Sequence, residues 1–284
     1  MNISDWQAKH QTIKLFNQRV SFIDSVVGDK VVLVIHGFGM SSFDYHKVID
    51  ELKLSYRLMI PDLIGFGFSS KPTNFYFSFI EQAQMLLRLL EEHNIKEVAI
   101  MAQGFGASIL CEILSIINAG FSDLKVSKIW LLNLSLSVEL SPNMEAQGQI
   151  LKYINAGFMK MVSSFEMFKK CIRLNFCDAN AISEEALKTS WELLLLNDGL
   201  KTLNFINYWG VEILQSSNRW LDAIKNTNAP IEIIWGMDKS SGDIDTPERI
   251  NHFLTVEKTH LIADCGYFPM FEKPSIFIDI LKGV

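Results

Sequence analysis

The fold of this chain is constrained most strongly by short β-branched and apolar runs that alternate with longer helical segments. Residues 31–35 read VVLVI, a continuous run typical of a strand buried on both faces of a parallel sheet. Comparable runs occur at 56–60, 98–101, 129–132 and 231–235. Strands and helices that alternate in this way predict an α/β fold, in which right-handed crossovers wind a mostly parallel sheet with helices on both faces.

Further segments complete the predicted α/β core. Residues 11–24 alternate apolar and polar side chains around Asn17-Gln18, which predicts a hairpin. A last strand is predicted at about 257–263. Helices are predicted near 42–54, 77–94, 105–117, 247–254 and 274–282.

The alternation stops after residue 137 and resumes at about residue 226. The intervening residues 138–225 read as mostly helical, are rich in Met and aromatic residues, and contain no plausible buried strand. We therefore predict a core made of residues 1–137 and 226–284, with 138–225 inserted as a helical cap (lid). Because ligand sites of α/β sheets lie at the carboxyl ends of the strands, an apolar pocket is expected where cap and sheet meet.

Charge and cysteine usage exclude several classes of function. The net charge is −6, from 26 Lys+Arg and 32 Asp+Glu, and there is no basic run to attract nucleic acid or an anionic membrane. The 4 cysteines show no metal-ligand spacing, so no metal site is expected. The glycine-rich turns at 65–67 and 104–106 do not complete a dinucleotide motif, and no cofactor is expected. With no signal-peptide pattern and no apolar run of membrane-spanning length, we expect a cytoplasmic protein.

Two short motifs follow strands of the predicted core: HGFG at 36–39 and PDLIGFGFSSKP at 61–72. The first resembles the oxyanion loop of the α/β-hydrolase family, and the second resembles the next motif of that family. The second motif most resembles haloalkane dehalogenases, epoxide hydrolases and the mesoderm-specific transcript protein group. NDG at 197–199 and RW at 219–220 add to the likeness to the last group. The resemblance covers residues 8–282 and implies the α/β-hydrolase fold.

The family's catalytic machinery, in chain order, is a nucleophile on a strand–turn–helix elbow, an acid and a histidine. The elbow corresponds to residues 101–107, where small side chains at Ala102, Gly106 and Ala107 suit a close approach of strand and helix. Its apex falls on Gly104. Glycine suits the strained turn, but it has no side chain that could attack a substrate.

The histidine position is also substituted. Residues 264–274 are similar to the family's histidine motif, and Tyr267 stands in the histidine's place. A phenol with an ordinary pKa of about 10 is a poor general base near neutral pH, although it can donate a hydrogen bond. Only His252 and His260 lie beyond residue 93, and we interpret both as surface or strand histidines.

The resemblance places the acid three residues after the glycine that follows the run 231–235, where this chain has Lys239. Asp238 is one residue early and two further aspartates come later, so an adjusted loop could supply a carboxylate. Some relatives place the acid near the position of Asn133 instead, where this chain has none. Asp238 is therefore the candidate acid.

Several features of a binding site are retained. The backbone N–H groups of Phe38 and Phe105 correspond to an oxyanion pair. Gln103 precedes the apex as in haloalkane dehalogenases, and Trp235, Tyr267 and Phe38 are predicted to line an aromatic pocket. Such a site could bind a carbonyl, carboxylate or halide-like group without covalent chemistry.

Other reactive side chains have simpler interpretations. Ser41 and Ser42 follow the oxyanion loop, but the predicted neighbourhood offers only His46 as a partner, and helix capping is expected. Asp62 is expected to order the glycine-rich loop after it. Cys265 is interpreted as a small buried residue.

The sequence leaves three hypotheses open. The first is a hydrolase homologue with a substituted triad that binds an apolar small molecule between cap and core, or a protein partner. The alternative is an active hydrolase or lyase for an ester, epoxide or haloalkane-like substrate, in which Tyr267 and Asp238 have polarising roles. The third is an ordinary hydrolase in which Gly104 was introduced by engineering, and the additional Tyr267 argues against it.

Overall fold

The computed structural model of the chain describes residues 1–73, 75–133, 162–202, 206–237 and 247–284. These residues contain one eight-stranded sheet with the order β1-β2-β4-β3-β5-β6-β7-β8. The strands are β1 (Gln11–Leu15), β2 (Gln18–Asp24), β3 (Val31–Ile35), β4 (Arg57–Pro61), β5 (Glu97–Gln103), β6 (Lys125–Leu132), β7 (Ile231–Gly236) and β8 (Lys258–Ile262).

The sheet confirms the predicted α/β fold. Strands β3 to β8 run parallel, while β1 and β2 form the predicted antiparallel hairpin at one edge. The middle strands are buried along almost their whole length, because helices cover both faces of a parallel sheet. The carboxyl ends of the parallel strands therefore lie at the same end of the sheet, where the predicted site residues follow β3, β5, β6 and β8.

The predicted core helices near 77–94, 105–117, 247–254 and 274–282 are confirmed with boundaries shifted by at most two residues. The stretch 42–54 is instead a 3₁₀ turn at Ser42–Tyr45, which Ser41 caps with its hydroxyl, followed by a short helix at Ile49–Leu52. The helices before β7 are α1 (Ile3–Gln7), α2 (Ile49–Leu52), α3 (Phe79–Glu92), α4 (Phe105–Asn118), α5 (Phe165–Arg173), α6 (Glu184–Leu195), α7 (Gly199–Thr202) and α8 (Ile206–Lys225). Those after it are α9 (Pro247–Phe253), α10 (Pro269–Glu272) and α11 (Pro274–Lys282).

Helices α5 to α8 lie between β6 and β7 in the chain, and no strand interrupts them in the described part of this region. The predicted boundary near residue 137 falls within 134–161, outside the described residues, so the division into core and cap stays a prediction. None of the described helices is long and apolar enough to cross a membrane.

The long helix α8 is attached to α4 by an ion pair whose carboxylate is buried and whose guanidinium is partly exposed. The guanidinium of Arg219 donates to both carboxylate oxygens of Glu112 at 2.8 and 2.6 Å, and the indole N–H of Trp220 donates to the same carboxylate at 2.5 Å. Because α4 begins at the predicted elbow, this contact sets the position of α8 relative to the candidate site.

Candidate functional site

The turn between β5 and α4 has the geometry that the sequence predicted for an elbow. Gly104 has a φ of +48°, a left-handed conformation that side chains rarely adopt. A Cβ on Gly104 would stand 1.9 Å from the hydroxyl oxygen of Tyr267 and 3.2 Å from its Cζ. A Cβ on Gly106 would stand 2.7 Å from the carbonyl oxygen of Ile35, which confirms the close approach of strand and helix. The phenol therefore occupies the space in which a side chain at residue 104 would begin.

The loop after β8 fixes Tyr267 by its backbone. Its N–H donates to the carbonyl of Asn175 at 2.7 Å. Its carbonyl accepts from the side-chain amides of Gln103 and Asn133, both at 3.0 Å. Because these partners come from three separate segments, the position of the phenol depends on the convergence of several loops.

Asn133 joins the ends of three strands. Its amide group donates to the carbonyls of Gly266 and Tyr267, and its side-chain oxygen accepts from the N–H of Gly236 at 3.0 Å. The sequence indicated this position only as a possible site for the acid. The signal for its structural role is that a polar residue directly follows the apolar run 129–132.

An aromatic cluster covers the apex of the turn. The ring centroids of Phe38 and Phe105 lie 5.5 Å apart, and Trp209 of α8 lies 4.9 Å from the first and 4.7 Å from the second. Trp209 is held there by a hydrogen bond of 2.6 Å from its indole N–H to the carbonyl of Phe77. Phe38, Phe105 and Tyr267 remain half-buried, so they keep accessible surface.

The other predicted site residues are placed less centrally or lie outside the described residues. Gln103 is fully buried, and its side-chain oxygen has no hydrogen-bond partner among the described residues. Trp235 is buried at the end of β7 and makes no ring contact with Phe38 or Tyr267 in the described part of the chain. Its place in an aromatic pocket stays a prediction. Asp238 lies in 238–246, outside the described residues.

Phe105 is the first residue of α4, and the N-cap residue Gly104 has no side chain that could cap this helix. The first N–H groups of a helix lack partners within it, and they carry the positive end of the helix dipole. This end of α4 can therefore attract an acceptor or an anion. The pairing of this N–H group with that of Phe38 stays a prediction.

Asp62 orders the loop that follows it, as predicted. Its carboxylate accepts from the N–H groups of Ser42 and Phe68, both at 2.8 Å, and its carbonyl accepts from the hydroxyl of Ser69 at 2.6 Å. His36 is fully buried beside it, and burial lowers the pKa of His36. This network holds the segment after β3 and the segment after β4 together.

The prediction that Ser41 and Ser42 would find no histidine other than His46 was wrong for Ser42. The hydroxyl of Ser42 lies 3.2 Å from Nε2 of His10 and accepts from the indole of Trp6 at 3.3 Å. His10 and Ser42 are 32 positions apart in the chain, so no local sequence pattern links them. The fold of the N-terminal hairpin brings them together. Ser42 is completely buried, so this contact is structural.

His46 is held neutral by its surroundings. Its ring stacks on Phe43 with centroids 4.4 Å apart, and its Nδ1 lies 2.9 Å from the carbonyl of the same residue. Burial lowers the pKa of His46 from 6.5 to about 4. Between pH 6.5 and about pH 4, His46 therefore binds a proton more readily in the unfolded chain than in the folded one.

We expect His46 to make the fold sensitive to acid. Its stabilising contribution is complete above pH 6.5 and is lost as the pH falls towards about 4. Between pH 7 and pH 4 the wild type should lose about 3 kcal/mol more unfolding free energy than His46→Gln. Urea denaturation of both proteins across this range tests the expectation, and parallel pH profiles would contradict it.

A surface cavity of about 900 Å³ opens at the opposite end of the sheet. Lys14, Arg88 and Phe121 are among the residues that line it, and none of the predicted site residues does. The catalytic positions implied by the sequence are therefore unrelated to this cavity.

Comparison with known proteins agrees with this geometry. Residues 30–274 match the family described as alpha/beta hydrolase fold. The chain belongs to this family. Among its relatives is the mesoderm-specific transcript homolog protein of Homo sapiens, 24% identical over 295 residues, covering 99% of this chain and 87% of the relative. The putative hydrolase LipZ of Mycobacterium tuberculosis is 24% identical over 259 residues, covering 91% and 89%.

Solved structures show the same fold. A meta-cleavage product hydrolase mutant from Pseudomonas fluorescens, complexed with acetates, has a TM-score of 0.73 at 16% identity and covers 95% of each chain. At this identity the likeness concerns the fold alone. The sequence-based resemblance to α/β hydrolases and to the mesoderm-specific transcript group is thus confirmed.

Proposed function

We propose that this α/β-hydrolase family member is a pseudoenzyme that binds an apolar small molecule without hydrolysing it. In this proposal residues 1–137 and 226–284 form the core, 138–225 form a cap over it, and the ligand lies between them. The observation that carries the proposal is the hydroxyl of Tyr267, 1.9 Å from the point where a Cβ of residue 104 would stand.

Two of the three roles in family chemistry lack a suitable side chain. Gly104 cannot form a covalent intermediate, and the phenol of Tyr267 cannot act as the imidazole base of this reaction. Loss of such a base alone removes about 10²–10⁴-fold in rate. Hydrolysis by the family mechanism is therefore not expected.

The retained features favour a small ligand over a protein partner. Phe38 and Phe105 keep accessible apolar surface beside the uncapped N-terminal end of α4. Both rings pack against Trp209, which is buried. Acetates bound to the meta-cleavage product hydrolase relative make small carboxylates a rational first set of ligands.

The proposal is tested by assaying the wild type on panels of esters, epoxides and haloalkanes. No turnover above the uncatalysed rate is expected. A Ser41→Ala/Cys265→Ala variant serves as a control for adventitious nucleophiles. Turnover that persists in this variant, and that copurifies with the protein, would contradict the proposal. If that turnover is lost in Tyr267→Phe, the result would support the alternative, an active enzyme in which Tyr267 takes part in the reaction.

A second experiment on the proposed function restores the reactive groups. Gly104→Ser combined with Tyr267→His replaces both substituted positions and removes the phenol from the space that Ser needs. We expect measurable ester hydrolysis only in the double variant, since Gly104→Ser alone leaves the phenol in place. Hydrolysis in the wild type at the level of the double variant would overturn the proposal.

A further inference from the structure

The surface cavity at the end of the sheet opposite the candidate site carries two exposed phenylalanine rings. Phe16, in the turn between β1 and β2, is 63% exposed, and Phe121, in the loop between α4 and β6, is 84% exposed. A single exposed apolar side chain is ordinary on a protein surface, but apolar side chains gathered at one concave site mark an interaction surface. We call the cavity with its two rings the Phe16–Phe121 patch.

The backbone of Phe16 has a conformation that is unfavourable for a bulky residue. Its φ is +45° and that of Asn17 is +63°, so both central residues of the hairpin turn are left-handed. Asparagine and glycine adopt this conformation readily, whereas a bulky side chain in it is an outlier. Packing within the chain does not account for Phe16 here, because its ring stays exposed. Strain of this kind is typical of positions that serve a contact outside the fold.

The cavity has an apolar floor and room for aromatic rings. Leu15, Leu90 and Ile95 are buried side chains that line it, and its volume is about 900 Å³. A cavity of about 150 Å³ is enough to hold a benzene ring. The same surface therefore carries exposed rings and a space that can receive the rings of a partner.

The charged side chains of the cavity balance each other. Three are cations and three are carboxylates: Lys14, Arg88, Lys96, Glu91, Glu92 and Asp123. A partner of one charge sign would meet like charges here, whereas a surface with both signs can complement itself across a two-fold axis. Since the whole chain carries a net charge of −6, two copies can approach at this balanced surface with less repulsion than elsewhere.

We infer that the Phe16–Phe121 patch is a dimerisation surface, on which a second copy of this chain docks about a two-fold axis and places its rings in the cavity. A two-fold interface uses the same surface of both copies, so each copy contributes its rings and receives those of the other. The inference does not depend on the proposed function, because none of the predicted site residues lines this cavity.

The test is sedimentation equilibrium of the full chain over subunit concentrations from about 1 to 200 μM. The wild type should show a monomer–dimer equilibrium in this range. Burying a phenylalanine ring contributes about 10–100-fold in affinity, and a substitution removes two rings from a two-fold dimer. Phe121→Ser should therefore raise the dissociation constant by at least about 100-fold.

Phe16→Asn separates association from folding. Asparagine tolerates the left-handed turn, so the melting temperature at about 0.5 μM, where monomer prevails, should not fall. The dissociation constant should nevertheless rise by at least about 100-fold, because the ring is lost from both copies. Leu54→Ser, at an exposed leucine that does not line the cavity, should leave the dissociation constant unchanged.

A charge variant tests the choice of a second copy as the partner. Asp123→Lys leaves the cavity with an excess of cations in both copies and should weaken the dimer by about 10-fold. Asp222→Lys makes the same change of charge on α8, outside the cavity, and should not weaken it. A wild type that is monomeric at every concentration would overturn the inference. So would a dimer that persists unchanged in Phe16→Asn and Phe121→Ser, or one that both charge variants weaken equally.

Discussion

Replacing Gly104 by alanine is expected to lower the unfolding free energy by about 3 kcal/mol, because strain and overpacking each contribute about 1–3 kcal/mol. The φ of Gly104 is +48°, and the new Cβ would stand 1.9 Å from the Tyr267 hydroxyl. Tyr267→Phe should relieve the overpacking, since the nearest atom then is Cζ at 3.2 Å. Urea denaturation of the two single variants and the double variant should give a coupling energy of at least about 1 kcal/mol.

Gly120 provides the matched control for this cycle. Its φ is +77°, and a Cβ there would meet nothing within 4 Å, so Gly120→Ala reports the conformational strain without the clash. We expect Gly104→Ala to cost more than Gly120→Ala, and only the former to respond to Tyr267→Phe. Equal costs for the two glycines, or no coupling to residue 267, would contradict this reading of the site.

Arg219→Met is expected to destabilise the protein by about 2 kcal/mol. The substitution leaves the carboxylate of Glu112, which is 1% exposed, without its bidentate partner. Breaking a buried pair typically costs about 3–5 kcal/mol, and the lower figure reflects the 44% exposure of the Arg219 side chain. Glu112→Gln combined with Arg219→Met should recover part of the loss, because the amide oxygen can still accept from the indole of Trp220.

The same experiment can use a surface pair as its comparison. Arg88 pairs with Glu91 and Glu92 on the exposed face of α3, and Arg88→Met should cause no measurable change in the urea midpoint. If Arg219→Met behaved like Arg88→Met, the pair with Glu112 would not stabilise the attachment of α8 to α4.

Local patterns in the chain were sufficient for most of the core. The β-branched run 31–35 and the apolar run 98–101 predicted buried parallel strands, because a strand covered on both faces excludes polar side chains. The prediction for 42–54 was less accurate: the capping role of Ser41 was expected, but Ser41 caps a 3₁₀ turn where a longer helix was predicted. Apolar spacing does not separate these two structures, because side chains three or four residues apart share a face in both.

Within the site, the sequence identified positions but not contacts. Gly104 and Tyr267 could be assigned from motifs that surround them, and each could be predicted to lack the family's side chain. That one fills the space of the other is a relation between residues 163 positions apart in the chain. It arises because the loops that follow parallel strands all lie at the same end of the sheet.

The sequence by itself determined the α/β fold, and it predicted a sharp turn at Gly104 and the substitution of two catalytic positions. Only the tertiary structure decided that the Tyr267 hydroxyl stands beside Gly104, that Ser42 meets His10, and that the carboxyl group of Asp44 is buried without a hydrogen-bond partner among the described residues. The physical reason is the separation along the chain of the groups that interact. Secondary structure follows from the periodicity of neighbouring side chains, whereas burial, pKa and the filling of a site depend on groups that folding brings together from distant segments.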